Sequence, residues 1–373
     1  MTPEARERKR EYERSPEYRV KRRRWRTTQR TLGPNGELRS KTQRPEPTLV
    51  PQEVPGPATI KFATTVYDRE GKPDRQFVRV EPDKVAKEAA WRAMADELRK
   101  DLPRLDPIPA PAPLHHTSLL TVYPIGDHHL GMLSWPPETG AAYDMAIGEA
   151  LLTNAMTNLV YRAPPSDTAL IAVLGDFFHY DSFETITPKG RNLLDSDTRF
   201  PKMIAAGIRL IHRAISLALQ KHQKVHVIIE IGNHDTSTSI FLALALADKY
   251  ENERRVSVDI SPRNCHFLVF GSVLIGTHHG DKIKLDDLPL IMATDRPADW
   301  GRTKWRYWLT GHVHHYQAKE IMGCVVESFG ILAPSDAWGT QQGHRPARTM
   351  KAITYHKDYG EVDRMTVNPQ MLE

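Results

Sequence analysis

From Thr117 onward, the chain alternates between short apolar runs and longer segments in which apolar residues recur at helical spacing. The strand-like runs are SLLTVYPI, TALIAVL, KVHVIIEI, HFLVFGSVLIGT, RYWLT, CVVESFGIL and MKAITYH, and helical spacing covers residues 141–161, 201–222 and 238–250. Strands without a polar face are buried on both sides, and their alternation with helices is typical of layered α/β proteins. The pattern therefore predicts an α/β domain over residues 117–373.

A second, smaller unit precedes that domain. Two runs of alternating polar and apolar residues flank residues 70–72 and predict a β-hairpin, and residues 84–103 carry apolar side chains at helical spacing. We therefore predict a small αβ module over residues 58–103. A proline-rich linker, residues 104–116, separates this module from the α/β domain, and residues 1–57 form a basic arm followed by another proline-rich linker.

Charge is distributed unevenly along the chain. Residues 1–44 contain 15 Lys and Arg against 6 Asp and Glu, a net charge of +9, whereas the whole chain carries only +5. This composition predicts a disordered arm, and its arginines and aromatic residues could contact the phosphates and bases of nucleic acid. The alternative is a solvated arm that aids solubility or assembly. The candidate contacts to nucleic acid are Arg22, Arg23, Arg24, Trp25 and Arg26.

Cysteine content and hydropathy bear on location. The chain has 2 cysteines, too few for a disulfide framework. No apolar run reaches the length of a membrane span, and the N-terminus is charged where a signal peptide would be apolar. We therefore predict a protein of the cytoplasm that does not contact membranes. A mobile element or virus would suit such a chain, in which case the location is the host cytoplasm.

Acids, amides and histidines follow five of the predicted strands, and most come just after a glycine. These strand ends are GDHH, GDFFHYD, GNHD, THHGD and GHVHH. Ligands of layered α/β folds gather beyond the carboxyl ends of the strands. Carboxylate, imidazole and amide donors suit Mn²⁺, our first choice, and also Fe²⁺, Zn²⁺ or Mg²⁺, and the lack of cysteine argues against a structural zinc site. On an extended segment, His312 and His314 would each bind one ion.

The order of these motifs, GDxH, GDxxH, GNHD, HG and GHxH, resembles the calcineurin-like metallophosphoesterases over residues 118–365. The resemblance implies a two-sheet β-sandwich flanked by helices, with a centre of two divalent metal ions. The implied ligands of one ion are Asp127, His129 and His314. The implied ligands of the other ion are Asn233, His279 and His312, and Asp176 is implied to bridge the two. The resemblance also implies that His234 contacts the substrate phosphate and protonates the leaving group.

The GDFFH motif most resembles the DNA-repair exonuclease branch, the nuclease subunits of the SbcCD and Rad50-associated complexes. In that branch, a histidine at the position of His179 supports the catalytic histidine. Those nucleases begin near the first motif and continue well past the last one. Here over a hundred residues precede Asp127 and about sixty follow the GHxH motif, so we do not expect a Rad50-like ATPase as a partner.

The sequence therefore predicts a metal-dependent phosphodiesterase, with DNA cleavage of the exonuclease type as the leading function. One alternative is hydrolysis of small phosphoesters or cyclic nucleotides, because selectivity depends on loops around a shared centre. Another is a non-catalytic nucleic-acid-binding adaptor, against which the intact ligand set argues.

Several neighbouring residues receive subsidiary predictions. Asp235 and His128 are expected to orient the ligands. The candidates to line a substrate path are Lys282, Lys284, Arg302 and Arg306. The residues expected at the surface are Asp181, Asp281 and His315, and those expected in packing are Trp300 and Trp305.

Overall fold

The computed structural model describes residues 116–372 and, before them, the backbone of two strands, β1 (Ala58–Tyr67) and β2 (Pro73–Pro82). These two strands pair antiparallel, so the predicted hairpin is confirmed. The hairpin and residues 116–372 belong to different compact units. The predicted helix at 84–103 and the basic arm lie outside the described residues, and the predicted domain limits stay predictions. The arm residues concerned are Arg22, Arg23, Arg24, Trp25 and Arg26.

Strands and helices follow one another along residues 116–372. The strands are β3 (His116–Ile125), β4 (Ser166–Val173), β5 (Lys224–Ile229), β6 (Val256–Val258), β7 (His266–Phe270), β8 (Val273–His278), β9 (Trp305–Thr310), β10 (Gln317–Ile321), β11 (Cys324–Ser328), β12 (Met350–His356) and β13 (Gly360–Val367). The helices are α1 (Pro136–Thr139), α2 (Met145–Arg162), α3 (Phe200–Leu219), α4 (Thr238–Lys249), α5 (Leu288–Asp295), α6 (Pro297–Arg302) and α7 (Ala337–Gln341). Within this stretch, no helix is long and apolar enough to cross a membrane.

The strands form two sheets. The larger sheet has the order β13-β12-β3-β4-β5-β6, and β3 to β6 run parallel to one another. The smaller sheet has the order β10-β11-β9-β8-β7, in which β11, β9 and β8 run parallel. Parallel neighbours have their carboxyl ends at the same edge of a sheet. The loops after β3, β4 and β5 therefore start together, as do those after β8, β9 and β11.

Alternation along the strands divides the apolar side chains among three cores. On β3, Leu120 and Val122 belong to the core between the two sheets, whereas Tyr123 and Ile125 belong to the core beneath α2, α3 and α4. On the outer face of the smaller sheet, Trp308 packs in a third core with residues of α5. The layers are thus helices, sheet, sheet and helices. The predicted α/β class, a two-sheet sandwich flanked by helices, is confirmed.

Two buried carboxylates connect the sheets at opposite edges of the sandwich. Glu327 of β11 is paired with Arg364 of β13, with 2.8 Å between Oε2 and Nη2. Glu230, which follows β5, accepts hydrogen bonds from His266 of β7 and Thr277 of β8. Glu327 and Glu230 are 2% and 1% exposed. A buried carboxylate is costly unless it is fully paired, so each contact favours one defined position of the sheets relative to each other.

Leu170 of β4 tests the core between the sheets, where it is 0% exposed. Leu170→Ala is expected to lower the free energy of unfolding by about 2–5 kcal/mol, because buried methyl groups are lost and a cavity remains. Leu193→Ala is the matched control, since Leu193 is 87% exposed, and such surface changes stay within about 0.5 kcal/mol. Urea denaturation compares the two variants, and equal losses would contradict the assignment of this core.

Candidate metal centre

The motifs that follow β3, β4, β5, β8 and β9 meet at one end of the sandwich. Three sets of side chains there place their donor atoms within 4.8 Å of one another, and two of these sets combine one carboxylate with two histidines. The first group is Asp127, His129 and His314, and the second is Asp176, His279 and His312. Each group combines residues from both sheets. The structure therefore places His312 and His314 in different groups.

In the first group, two histidine rings point nitrogen to nitrogen. Nε2 of His129 lies 3.1 Å from Nε2 of His314, which in turn lies 3.6 Å from Oδ1 of Asp127. Two facing ring nitrogens share at most one hydrogen between them, and the carboxylate beside them favours positive charge at that point. The backbone N–H of His312 donates to both oxygens of Asp127, at 3.0 and 2.9 Å. These donors fit a divalent cation.

In the second group, His279 is held from behind so that its other nitrogen faces the donors. Its Nδ1–H donates to the carbonyl oxygen of Leu174 at 2.8 Å. Its Nε2 lies 3.3 Å from Oδ2 of Asp176 and 3.1 Å from Oδ1 of Asn233. A carbonyl that fixes the histidine tautomer is a usual support for a metal-binding nitrogen. The second group fits a divalent cation as well, with Asn233 as an additional donor.

The carboxylates of the centre affect the protonation of the neighbouring histidine rings. Burial lowers the pKa of His279, but the charge and hydrogen bond of Asp176 outweigh burial and raise it to about 10. Burial and the neighbouring His234 and His314 hold the pKa of His129 well below its usual value. A neutral His129 offers a lone pair, and a cation would take the place of the proton on His279.

The backbone is unusual at the ligands. Left-handed φ values occur at His129 (48°), Asp176 (48°), His312 (69°) and His314 (58°). Non-glycine residues adopt this region rarely and at a cost, and such residues cluster at functional sites. The loop after β9 is therefore not the extended segment that the sequence predicts, because left-handed turns at His312 and His314 direct their side chains. Close packing adds a second constraint, since a Cβ atom at Gly311 would lie 2.5 Å from Oδ2 of Asp127.

His234 and His179 lie beside the first group, their ring nitrogens close to those of His129. The backbone N–H of His234 donates to Oδ1 of Asp176 at 2.7 Å, and its Nδ1–H donates to the carbonyl oxygen of His179 at 2.8 Å. Nδ1 of His179 lies 3.3 Å from Nδ1 of His129. Burial lowers the pKa of His179 to about 3, so this ring is neutral and serves as a hydrogen-bond partner. The predicted bridging by Asp176 and the catalytic roles of both histidines stay predictions.

Asp235 connects the second and third motifs. Its carboxylate accepts the backbone N–H groups of Asp176, Phe177 and Gly232 at 3.1, 2.8 and 3.0 Å. Burial and the charge of Asp176 raise its pKa to about 7. Asp235 thus orients the ligands through their backbone. His128 differs from its prediction, because its ring stacks on Phe177 at 5.4 Å and its Nε2 has no partner among the described residues.

Two of the four basic candidates for a substrate path are engaged elsewhere. Arg302 forms an ion pair within α6. Arg306 donates to the carbonyl oxygen of Trp300 at 2.7 Å and stacks on its ring, 4.2 Å from the centroid. Lys282 and Lys284, on the loop after β8, stay candidates. Trp300 packs in a core, as the sequence predicts.

Sequence reasoning missed the role of Asp181, which it placed at the surface. Its carboxylate accepts the hydroxyl of Thr236 at 2.6 Å and the backbone N–H groups of Ser237 and Thr238 at 2.9 and 2.8 Å. A carboxylate at the start of a helix satisfies free N–H groups and is favoured by the helix dipole. His234 lies two residues before Thr236, so the hydrogen bonds of Asp181 also hold the loop that carries His234. The run Thr236-Ser237-Thr238 marks the start of α4 in the sequence, but its hydroxyls predict a cap from the run itself rather than from Asp181.

Comparisons with known proteins identify similar solved structures only. No family model matches the chain, and no curated protein matches it. The similar structures include a predicted phosphoesterase from Streptococcus pneumoniae, which is 12% identical with a TM-score of 0.28, covering 68% of this chain and 100% of that one. They also include Vps29 from Entamoeba histolytica in complex with zinc, 16% identical with a TM-score of 0.27, covering 66% of this chain and 98% of that one.

A third similar structure is a putative 5′-nucleotidase from Staphylococcus aureus, 11% identical with a TM-score of 0.29, covering 67% of this chain and 54% of that one. Because all three scores are low, the sandwich is assigned from its own strand order. The metal centre is likewise assigned from its own donor atoms.

His314 tests the first donor group. Purified wild-type protein is expected to bind Mn²⁺, and His314→Ala is expected to weaken binding at this group by at least about tenfold, because one nitrogen donor is lost. Titration calorimetry on protein treated with a chelator measures the affinity. His315→Ala is the matched control, since Nδ1 of the exposed His315 is bonded to the carbonyl oxygen of Val313. Equal affinities for the two variants would contradict the ligand assignment.

Proposed function

We propose that the protein is a phosphodiesterase that depends on two divalent metal ions, and that its substrate is DNA. The observation that carries the proposal is the pair of adjacent donor groups, each with one carboxylate and two histidines. Phosphoryl transfer commonly uses two ions about 3.5–4 Å apart, which stabilise the attacking and leaving oxygens. Mn²⁺ suits the mixed oxygen and nitrogen donors, with Fe²⁺, Zn²⁺ or Mg²⁺ as alternatives.

The chain's own residues position the substrate and move a proton. The bound ions would supply Lewis acidity toward the phosphoryl oxygens and toward water. Since the Nδ1–H of His234 is held by the carbonyl of His179, its Nε2 is the nitrogen that exchanges a proton with substrate. The protonated ring donates from Nε2 to the leaving oxygen and becomes neutral. With an ion bound at Nε2 of His129, the ring hydrogen of His129 would stay on its Nδ1, and Nδ1 of His179, 3.3 Å away, would accept that hydrogen.

Three features support DNA as the substrate. The basic arm supplies arginines around Trp25, and the GDFFH motif resembles the exonuclease branch. Exposed aromatic side chains also lie on the segments that follow the ligand-bearing end of the strands, where bases could stack on them. They are Trp135 after β3, Phe183 after β4 and Trp338 after β11, exposed by 61%, 61% and 65%. The proposed reaction is cleavage of the exonuclease type in the cytoplasm.

A small phosphoester or a cyclic nucleotide is the second candidate substrate. Arg302 is ion-paired within α6 and Arg306 is engaged in packing, which leaves Lys282 and Lys284 of the four basic candidates for a substrate path. The same donor groups serve both kinds of substrate, because selectivity depends on the surrounding loops. A non-catalytic adaptor is disfavoured, since all the predicted ligands lie together.

Turnover on three substrates in the presence of Mn²⁺ tests the function. Wild-type protein is expected to cleave labelled single- or double-stranded DNA, and Asp176→Ala is expected to abolish cleavage. Deletion of residues 1–44 should weaken DNA cleavage and leave hydrolysis of bis-p-nitrophenyl phosphate unchanged. Activity on this diester or on cyclic nucleotides with intact DNA would move the assignment to the second candidate. Inactivity of metal-loaded protein on all three would overturn the phosphodiesterase proposal.

The proton donor is tested by changing the leaving group. His234→Gln is expected to slow DNA cleavage by about 10²–10⁴-fold, the usual contribution of a general acid. Hydrolysis of bis-p-nitrophenyl phosphate should slow much less, because p-nitrophenolate is a weak base that leaves without a proton. His356→Gln, at the end of β12, is the control. Equal losses on both substrates would show that His234 acts in binding rather than in proton transfer.

A further inference from the structure

Glu230 is a carboxylate in an unusual place. It follows the apolar run of β5, is 1% exposed, and lies three residues before Asn233. Its backbone N–H donates to the carbonyl oxygen of Val173 at 2.8 Å, at the end of β4. An apolar residue would fill such a buried position at no cost in desolvation. The position of Glu230 therefore suggests a role for its charge and hydrogen bonds.

The partners of Glu230 come from the other sheet. Its Oε1 accepts the hydroxyl of Thr277 and lies 2.8 Å from Nδ1 of His266. Nε2 of His266 lies 3.2 Å from the carbonyl oxygen of Ser261, so both ring nitrogens face acceptors and both carry hydrogens. Burial lowers the pKa of His266, but the hydrogen bond and charge of Glu230 outweigh burial and raise it. Glu230 and His266 thus form a buried, hydrogen-bonded pair that crosses the sandwich.

This contact lies directly before two donors that must meet across the sandwich. Thr277 is two residues before His279, and Glu230 is three residues before Asn233. Oδ1 of Asn233 and Nε2 of His279 lie 3.1 Å apart although they come from different sheets. Apolar packing between sheets is non-directional, whereas hydrogen bonds to one carboxylate oxygen fix a position. The Glu230 contact thereby sets the separation of the ends of β5 and β8.

We propose that Glu230 is a positioning residue for the second donor group: its hydrogen bonds to Thr277 and His266 hold Asn233 and His279 at the separation that one divalent ion needs. This inference rests on the metal centre of the proposed function. Glu230 itself does not belong to either donor group. It acts through the strand ends, as supporting residues do around other metal sites.

The chain contains a matched control for a buried carboxylate that connects the sheets. Glu327 is equally buried and pairs with Arg364 and with Lys351, 3.7 Å away. These three residues lie on β11, β13 and β12, none of which carries a predicted ligand. Removal of either glutamate carboxylate loosens the sandwich at one edge. Only removal of the Glu230 carboxylate should change the second donor group.

Calorimetric titration with Mn²⁺, together with thermal unfolding, tests the proposal on the full chain. Glu230→Ala is expected to weaken one of the two Mn²⁺ sites by about 10–100-fold, as loss of supporting hydrogen bonds does elsewhere, and to leave the other unchanged. Glu230→Gln should recover most of the affinity, since its amide oxygen still accepts the hydroxyl of Thr277. Glu327→Ala should lower the unfolding temperature without changing either affinity. If Glu230→Ala does not fold, Thr277→Val replaces it, because this change removes one hydroxyl at constant shape and should also weaken one Mn²⁺ site.

The outcomes separate this proposal from the one on which it rests. Wild-type protein that binds no Mn²⁺ would overturn the proposed function and the positioning role together. Normal Mn²⁺ binding by wild type, Glu230→Ala and Thr277→Val would overturn the positioning role alone. Equal weakening by Glu230→Ala and Glu327→Ala would also overturn it, because general loosening of the sandwich would then explain the loss.

Discussion

The direction of the strands is the constraint on which the rest of this protein depends. β3, β4 and β5 run parallel in the larger sheet, and β8 and β9 run parallel in the smaller one, so their five loops begin at the same end of the sandwich. Donors from a single sheet would lie along a line, with neighbouring donors separated by the strand spacing of about 4.8 Å. The second sheet, stacked about 10 Å away, supplies donors from the opposite side. A closed set of donors around two neighbouring points therefore requires both sheets.

Hydrogen bonds between the sheets hold this arrangement. The ring of His279, which follows the smaller sheet, donates to the carbonyl oxygen of Leu174, which follows a strand of the larger sheet. The backbone N–H of His312 likewise donates from the smaller sheet to Asp127 on the larger one. Such anchoring also explains how left-handed backbone persists at Asp176 and three histidines, at a cost of about 1–3 kcal/mol each. The surrounding buried hydrogen bonds, including those of Asp235, restrict the alternatives that would relieve the strain.

Most of the fold could be predicted because its signals are local. The apolar runs contain the strands that carry ligands, and each donor lies within a few residues of a strand end. The donors therefore meet at one end of the sandwich because the strands run in the same direction. Contacts over long distances in sequence could not be predicted. Asp181 meets its partners 55 residues away, and nothing near Glu230 in the sequence indicates His266. The helices α5 and α6 are too short to show a helical period in the sequence. The contact of Arg306 with Trp300, which removes Arg306 from the substrate path, could not be predicted either.

In the proposed function, chemistry and substrate choice depend on different parts of this chain. The carboxylate donors are buried and fixed by backbone contacts, as at Asp127, which is 0% exposed, so any phosphoester that reaches them meets the same atoms. A polymeric substrate needs contacts several nucleotides away, which lie beyond the donors; among the described residues, exposed loops are placed to supply them. A change in those segments would alter the substrate without disturbing the donors, because the donors are held by contacts within the sandwich. The proposed reaction class therefore rests on the motifs, whereas the proposed substrate rests on surfaces that the motifs do not include.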